Sequence, residues 1–84
     1  MNPDDIKVAV KEFILETFLP GEDPDTLDDS TPLITGGILD SLATLRLVSF
    51  LEDKYGVQLA PHELDTEHMD SVSQISNLVL SKMP

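Results

Sequence analysis

The hydrophobic positions fall into three groups with the period of a helix. Ile6, Val10, Phe13, Ile14 and Phe18 recur at intervals of three and four, which lines one face of an α-helix. Asn2 before Pro3 opens this element, and Asp4 and Asp5 follow in its first turn. Asn caps a helix, Pro suits the first helical position, and carboxylates favour the positive end of the helix dipole. Pro20 and Gly21 stop the helix near Leu19. A second helix is predicted from Ser41 to Tyr55, capped by Asp40 or Ser41 and ended by Gly56. Its apolar stripe is Leu42, Leu45, Val48, Leu51 and Tyr55, widened by Leu47 and Phe50, which predicts the central helix of the fold. Pro61 and the residues to Asp65 predict a short third helix with Leu64 and Met69 facing inward. Ser71 and Gln74 match a capping box. Val72, Ile75, Leu78 and Val79 then predict a last amphipathic helix ending near Lys82.

Residues 20–37 are rich in Gly, Pro, Asp, Ser and Thr and predict a loop. A loop this long in a small domain is unusual, and such loops often carry function. Leu27, Leu33 and Ile34 are its expected anchors on the core, and Gly36-Gly37 permits a sharp change of direction. No run alternates cleanly enough for a strand. The expectation is an all-α, four-helix bundle with a long first loop and a short third helix, formed by residues 1–84 as one domain.

Composition narrows the function. Five Lys and Arg face sixteen Asp and Glu, for a net charge of −11. Nucleic acids and anionic membrane surfaces both demand a basic footprint. There is no Cys and no Trp, which removes disulfides, a thiolate nucleophile and Cys-based zinc sites. Leu, Ile, Val and Phe make up about a third of the chain, above the roughly one fifth typical of disordered acidic chains. No apolar run approaches the ~18 residues of a membrane span, and the N-terminus has no apolar stretch of secretory type. A cytoplasmic monomer is the expectation.

The segment that carries chemistry is Gly36-Gly37-Ile38-Leu39-Asp40-Ser41-Leu42. Two glycines lead into a serine at the start of the central helix, where free backbone N–H groups and the helix dipole stabilise a phosphate ester. The alternative is that Ser41 or Asp40 is only an N-cap. A hydrolase is disfavoured: Leu39 and Ala43 stand where a nucleophile elbow has glycines, and His62 or His68 would have to act as the base without an evident orienting partner. A calcium frame begun at Asp23 places Asp25 third, but also Leu27 fifth, Asp28 sixth and Ile34 twelfth, so it fails. The two histidines read as solvated. Glu52, Asp53, Glu63, Asp65, Glu67 and Asp70 read either as a solvated surface or as a docking face for basic partners.

Gly37 to Leu42, followed by Leu45-Arg46-Leu47-Val48-Ser49-Phe50-Leu51-Glu52 and by Tyr55-Gly56-Val57-Gln58-Leu59, resembles the acyl carrier protein family over nearly the whole chain. The resemblance implies a role without catalysis. A phosphopantetheinyl transferase would use coenzyme A and magnesium to attach 4′-phosphopantetheine to Ser41, and the arm's terminal thiol would hold cargo as a thioester. A chain without Cys would thereby import its thiol. Asp40 matches the acid beside the modified serine, and Leu42 matches an apolar position that partners touch, although core packing also accounts for it. Three positions depart from the pattern: Ala43 and Arg46 replace acids, and Ser49 replaces a larger apolar residue. The acidic stripe on the second helix is thinned to Asp40, Glu52 and Asp53.

Thr44 and the Asp70-Ser71 pair are also similar to D-alanyl and other free-standing aminoacyl carriers. A specialised acyl or aminoacyl carrier, for a lipid, polyketide or aminoacyl pathway, therefore ranks above a carrier for fatty acid biosynthesis. Its partners would be the transferase, an acyl- or aminoacyl-activating ligase and downstream transferases, docking on Leu42, Arg46, Glu52, Asp53 and Glu63. A groove between the second and third helices, narrowed by Phe50 and Tyr55, would suit a small cargo. The alternative is an unmodified acidic helical domain that binds a basic protein.

Overall fold

The structure, a computed structural model, describes residues 2–23 and 27–83. Asp25, third in the failed calcium frame, lies outside them. The described residues are helical without a strand: α1 (Pro3–Phe18), α2 (Ser41–Tyr55), one 3₁₀ turn (Pro61–Glu63), α3 (Thr66–Met69) and α4 (Val72–Lys82). The all-α, four-helix expectation holds.

Each long helix starts where a polar side chain relieves its unpaired N–H groups. Asn2 Oδ1 accepts from Asp4 N at 2.9 Å, Asp40 Oδ1 from Ala43 N at 2.7 Å, and Ser71 Oγ from Gln74 N at 3.1 Å. Gly56 ends α2 in the left-handed conformation, φ 67°, which a residue with a Cβ rarely adopts. The box at α4 closes one residue early: Gln74 Oε1 accepts from Asp70 N at 2.8 Å. The third helix is split, because Asp65 Oδ1 accepts from Glu67 N and His68 N, both at 3.1 Å, and so starts a new turn.

α1 packs mainly against α4. Ile6, Val10, Ile14, Val72, Ile75 and Val79 are fully buried, each side chain contributing about 1.5–3 kcal/mol relative to exposure. The buried Ser76 donates to Pro3 O at 3.3 Å. Leu47, Val48 and Leu51 carry α2 onto the same core, and Leu27 and Leu33 bring the loop onto it.

The predicted stripe of α2 requires correction. Ala43, Thr44, Leu47, Val48 and Leu51 are its buried residues, whereas Leu42 is 63% exposed and Leu45 53% exposed. Thr44 tolerates burial because its hydroxyl donates to Asp40 O at 2.8 Å. Phe50 stacks on Phe13 of α1, centroids 4.4 Å apart, and so faces away from the third helix.

Candidate functional site

Ser41 is exposed in the first turn of α2. Its presentation is built by the residues before it. Leu39 N donates to Leu33 O at 2.9 Å and Gly37 N to Ile34 O at 3.1 Å, which closes residues 33–39 into a compact turn. Gly37 adopts φ 82°, and a Cβ on Gly36 would collide with the Pro32 carbonyl. Both glycines are therefore required by the turn. Asp40 then fixes the helix start twice, through its side chain to Ala43 N and through its carbonyl to Thr44 N at 2.9 Å. With those amides taken, the N–H groups of Ser41 and Leu42 are left at the positive end of the helix dipole.

Ser41 borders an open cleft of about 600 Å³ between the loop, α2 and the segment before α3. Ile34, Leu39 and Leu45 line it together with Leu64, Asp65 and Thr66. Phe50 lies in a different depression, beside Phe13 and Lys54; neither it nor Tyr55 borders this cleft, so they do not narrow it. On the other side of Asp40, Leu42 and Arg46 flank a smaller depression with Phe18.

The predicted docking residues divide. Leu42, Arg46 and Asp53 are exposed. Lys7 and Lys11 pair with Asp29 at 3.4 and 2.6 Å, and Lys82 pairs with Glu63 at 2.8 Å; among the described residues Arg46 makes no ion pair. Glu52 Oε2 accepts from Leu59 N at 3.0 Å, which ties down the chain after α2. Glu63 is only 8% exposed. Its carboxyl accepts from Ala60 N at 2.9 Å, and Lys82 and that amide hold it below the usual glutamate range. Glu52 and Glu63 are thus engaged within the fold.

Asp28 and Asp65 are also engaged locally. Asp28 Oδ1 accepts from Ser30 N and Oγ and from Thr31 Oγ1, a turn that keeps its carboxyl below the ordinary aspartate range. His68 Nδ1 lies 2.8 Å from Asp65 Oδ1. The pair lowers Asp65 and raises His68. Asp65, Glu67 and His68 bring one ligand atom each within 4.8 Å of one another, but Asp65 Oδ1 is already shared among the ring and two amides.

Sequence reasoning placed Asp70 among the surface acids. In the structure Asp70 Oδ1 accepts from Ile34 N and Thr35 N, each at 2.8 Å, and Oδ2 accepts from Thr35 Oγ1 at 2.9 Å. Its carbonyl accepts from Leu33 N at 2.7 Å. The amide of Thr35 is the largest cause of a carboxyl held below the ordinary aspartate value. The signal in the sequence was the acid immediately before a capping serine, without any indication of its distant partners.

Among the described residues no helix is long and apolar enough to cross a membrane. The fold is similar to a chain in a solved structure described as "Crystal structure of FAD-dependent dehydrogenase", with 37% identity, a TM-score of 0.76, and coverage of 83% of this chain and 97% of that one. It is also similar to the peptidyl carrier protein in "Structure of KstB-PCP(apo)", with 26% identity, a TM-score of 0.71, and coverage of 95% and 88%. The family described as "Phosphopantetheine attachment site" matches residues 14–79. A match over most of the chain, on a fold that presents a hydroxyl at a helix start, places the protein in that family: it is a phosphopantetheine-binding carrier, which holds its arm covalently and is not itself catalytic.

Proposed function

We propose that Ser41 is the attachment point and that the chain carries aminoacyl cargo. In the loading step Ser41 Oγ attacks the β-phosphorus of coenzyme A. A phosphodiester to the pantetheine arm forms, the pyrophosphate linkage breaks, adenosine 3′,5′-bisphosphate leaves, and the hydroxyl proton passes to a base of the transferase. The carrier's own part is to present the oxygen. The observation that carries this reading is an exposed Ser41 at the capped start of α2, where the helix dipole stabilises the new anion.

The cargo class rests on likeness. One similar structure is a peptidyl carrier protein. The other belongs to a structure described by an FAD-dependent dehydrogenase, yet 83% of this chain accounts for 97% of the matched one, so that matched chain is itself shorter than this chain. The peptidyl carrier favours an aminoacyl thioester over a long fatty chain, and the dehydrogenase description supports a flavoenzyme among the enzymes the carrier visits. Docking falls to Leu42, Leu45 and Arg46 beside Ser41, with Asp53 farther along α2. Two exposed leucines supply apolar contact, and Arg46 asks for an acidic group on the partner.

The test is an intact mass after incubation with coenzyme A, magnesium and a broad-specificity transferase. Wild type gains one phosphopantetheinyl group and Ser41→Ala gains none. A folded wild type that gains nothing leaves the acidic interaction domain as the reading. Aminoacyl-activating ligases should then load the holo form in preference to fatty acyl ligases.

A further inference from the structure

We infer that Asp70 is a positioning residue for the modification of Ser41, acting through the loop between them; this rests on the reading of Ser41 as the attachment point. Asp70 stands at the junction of α3 and α4, beyond the described ends of both. It gathers three consecutive loop residues: Leu33 through its carbonyl, Ile34 and Thr35 through its carboxylate. Its own amide is fixed by Gln74 of α4. From the gripped residues the path to Ser41 is short and bonded. Leu33 O and Ile34 O receive Leu39 N and Gly37 N, the next residue is the Asp40 cap, and Ser41 follows. One carboxylate thus transmits the position of α4 to the start of α2 across a segment that the core anchors at Leu33 and Leu39 but leaves exposed at Thr35, Gly36 and Gly37.

Hydrogen bonds are directional, and three that converge on one carboxylate, two of them from adjacent amides to the same oxygen, restrict the loop to one arrangement. Without them the turn samples conformers in which Ser41 is wrongly presented. An enzyme that recognises only the competent conformer then sees its apparent affinity reduced by the competent fraction. The expected signature is a raised KM with kcat largely kept.

Three variants separate this role from charge and from general stability. Asp70→Asn loses the charge but keeps an oxygen for the two amides, and Thr35 Oγ1 can accept from the new NH₂. Asp70→Glu keeps the charge but carries the carboxyl one methylene too far to hold both amides without moving the loop. Asp70→Ala removes everything. Each is assayed with the transferase and coenzyme A at a temperature where circular dichroism shows it folded, alongside hydrogen exchange at Ile34 and Thr35. Asp70→Ala and Asp70→Glu should raise KM on the order of tenfold, as expected if the competent fraction falls by that factor. Asp70→Asn should stay near wild type, and amide protection should follow the same order. If Asp70→Ala fails to fold, the Glu and Asn pair carries the comparison. Wild-type KM in a variant whose Ile34 and Thr35 amides have lost protection overturns the proposal, and so does Asn behaving worse than Glu. A wild type that accepts no arm overturns the Ser41 reading instead, while the exchange data still report whether the clasp exists.

Discussion

The two sides of the molecule are held by different forces. Where α1 meets α4, Ile6, Val10, Ile14, Ile75 and Val79 are fully buried, and one hydroxyl bond from Ser76 to Pro3 accompanies them. Around Ser41 the large side chains at the helix start, Leu42 and Leu45, face solvent, and beyond the buried anchors Leu33 and Leu39 order comes from the Asp40 cap, the glycine turn and the Asp70 clasp. Apolar burial is non-directional and scales with area; it sets how stable the bundle is. Hydrogen bonds to a carboxylate are directional; they set where one oxygen points. A carrier needs both, and stability and presentation are separable here by mutation.

The largest effect belongs to the packed side. Ile75→Ala should cost about 2–5 kcal/mol, the usual range for truncating a fully buried aliphatic side chain. Chemical denaturation reads it directly. At a temperature where the variant is folded, its rate of modification at Ser41 should match wild type. A slowed rate in the folded variant would mean that the two sides are mechanically coupled after all.

Two helix caps test the contrast at equal stability cost. Asn2→Ala and Asp40→Ala each remove a side-chain acceptor from a helix start, at about 1 kcal/mol apiece. Denaturation midpoints should fall alike. Modification should slow only for Asp40→Ala, because Asp40 fixes the turn that contains Ser41. Equal rates in the two variants would remove presentation as the role of the Asp40 cap.

What could be read from the sequence follows the same divide. Helix ends were legible because a cap is a local signal: Asn2 with Pro3, Asp40, Gly56 and Ser71 each act within a few residues. The exposed hydroxyl was legible for the same reason. The buried face of α2 was not, because leucines occur on both sides of the helix and the small residues Ala43 and Thr44 carry no strong pattern. Which side is covered depends on the loop and α1, and periodicity within one helix contains neither. Glu63 and Asp70 were missed because their partners, Lys82 and residues 33–35, are distant in sequence, and an acid on a short polar segment looks the same whether solvated or engaged.

The smallest effect concerns the edge of the cleft, where Asp65 caps α3 and meets His68. His68 is raised above 6.5, first by its hydrogen bond to Asp65, so its share of the stability is fully present below 6.5 and is lost as pH rises through the folded value. Asp65 is lowered below 3.8, first by the same bond, so its share is present above 3.8 and is lost as pH falls through the folded value. The pair is solvent-facing and screened, so the gain is small. It should form a plateau from pH 3.8 to 6.5 that fades on both sides. His68→Gln removes the cation while Asp65 keeps its bonds to the Glu67 and His68 backbone amides. The difference in melting temperature between wild type and His68→Gln should therefore be greatest on the plateau and shrink above it, while the core variant Ile75→Ala keeps its deficit across the same range. A His68→Gln difference independent of pH would assign the contact to packing rather than charge, and would make this edge of the cleft resemble the α1–α4 side.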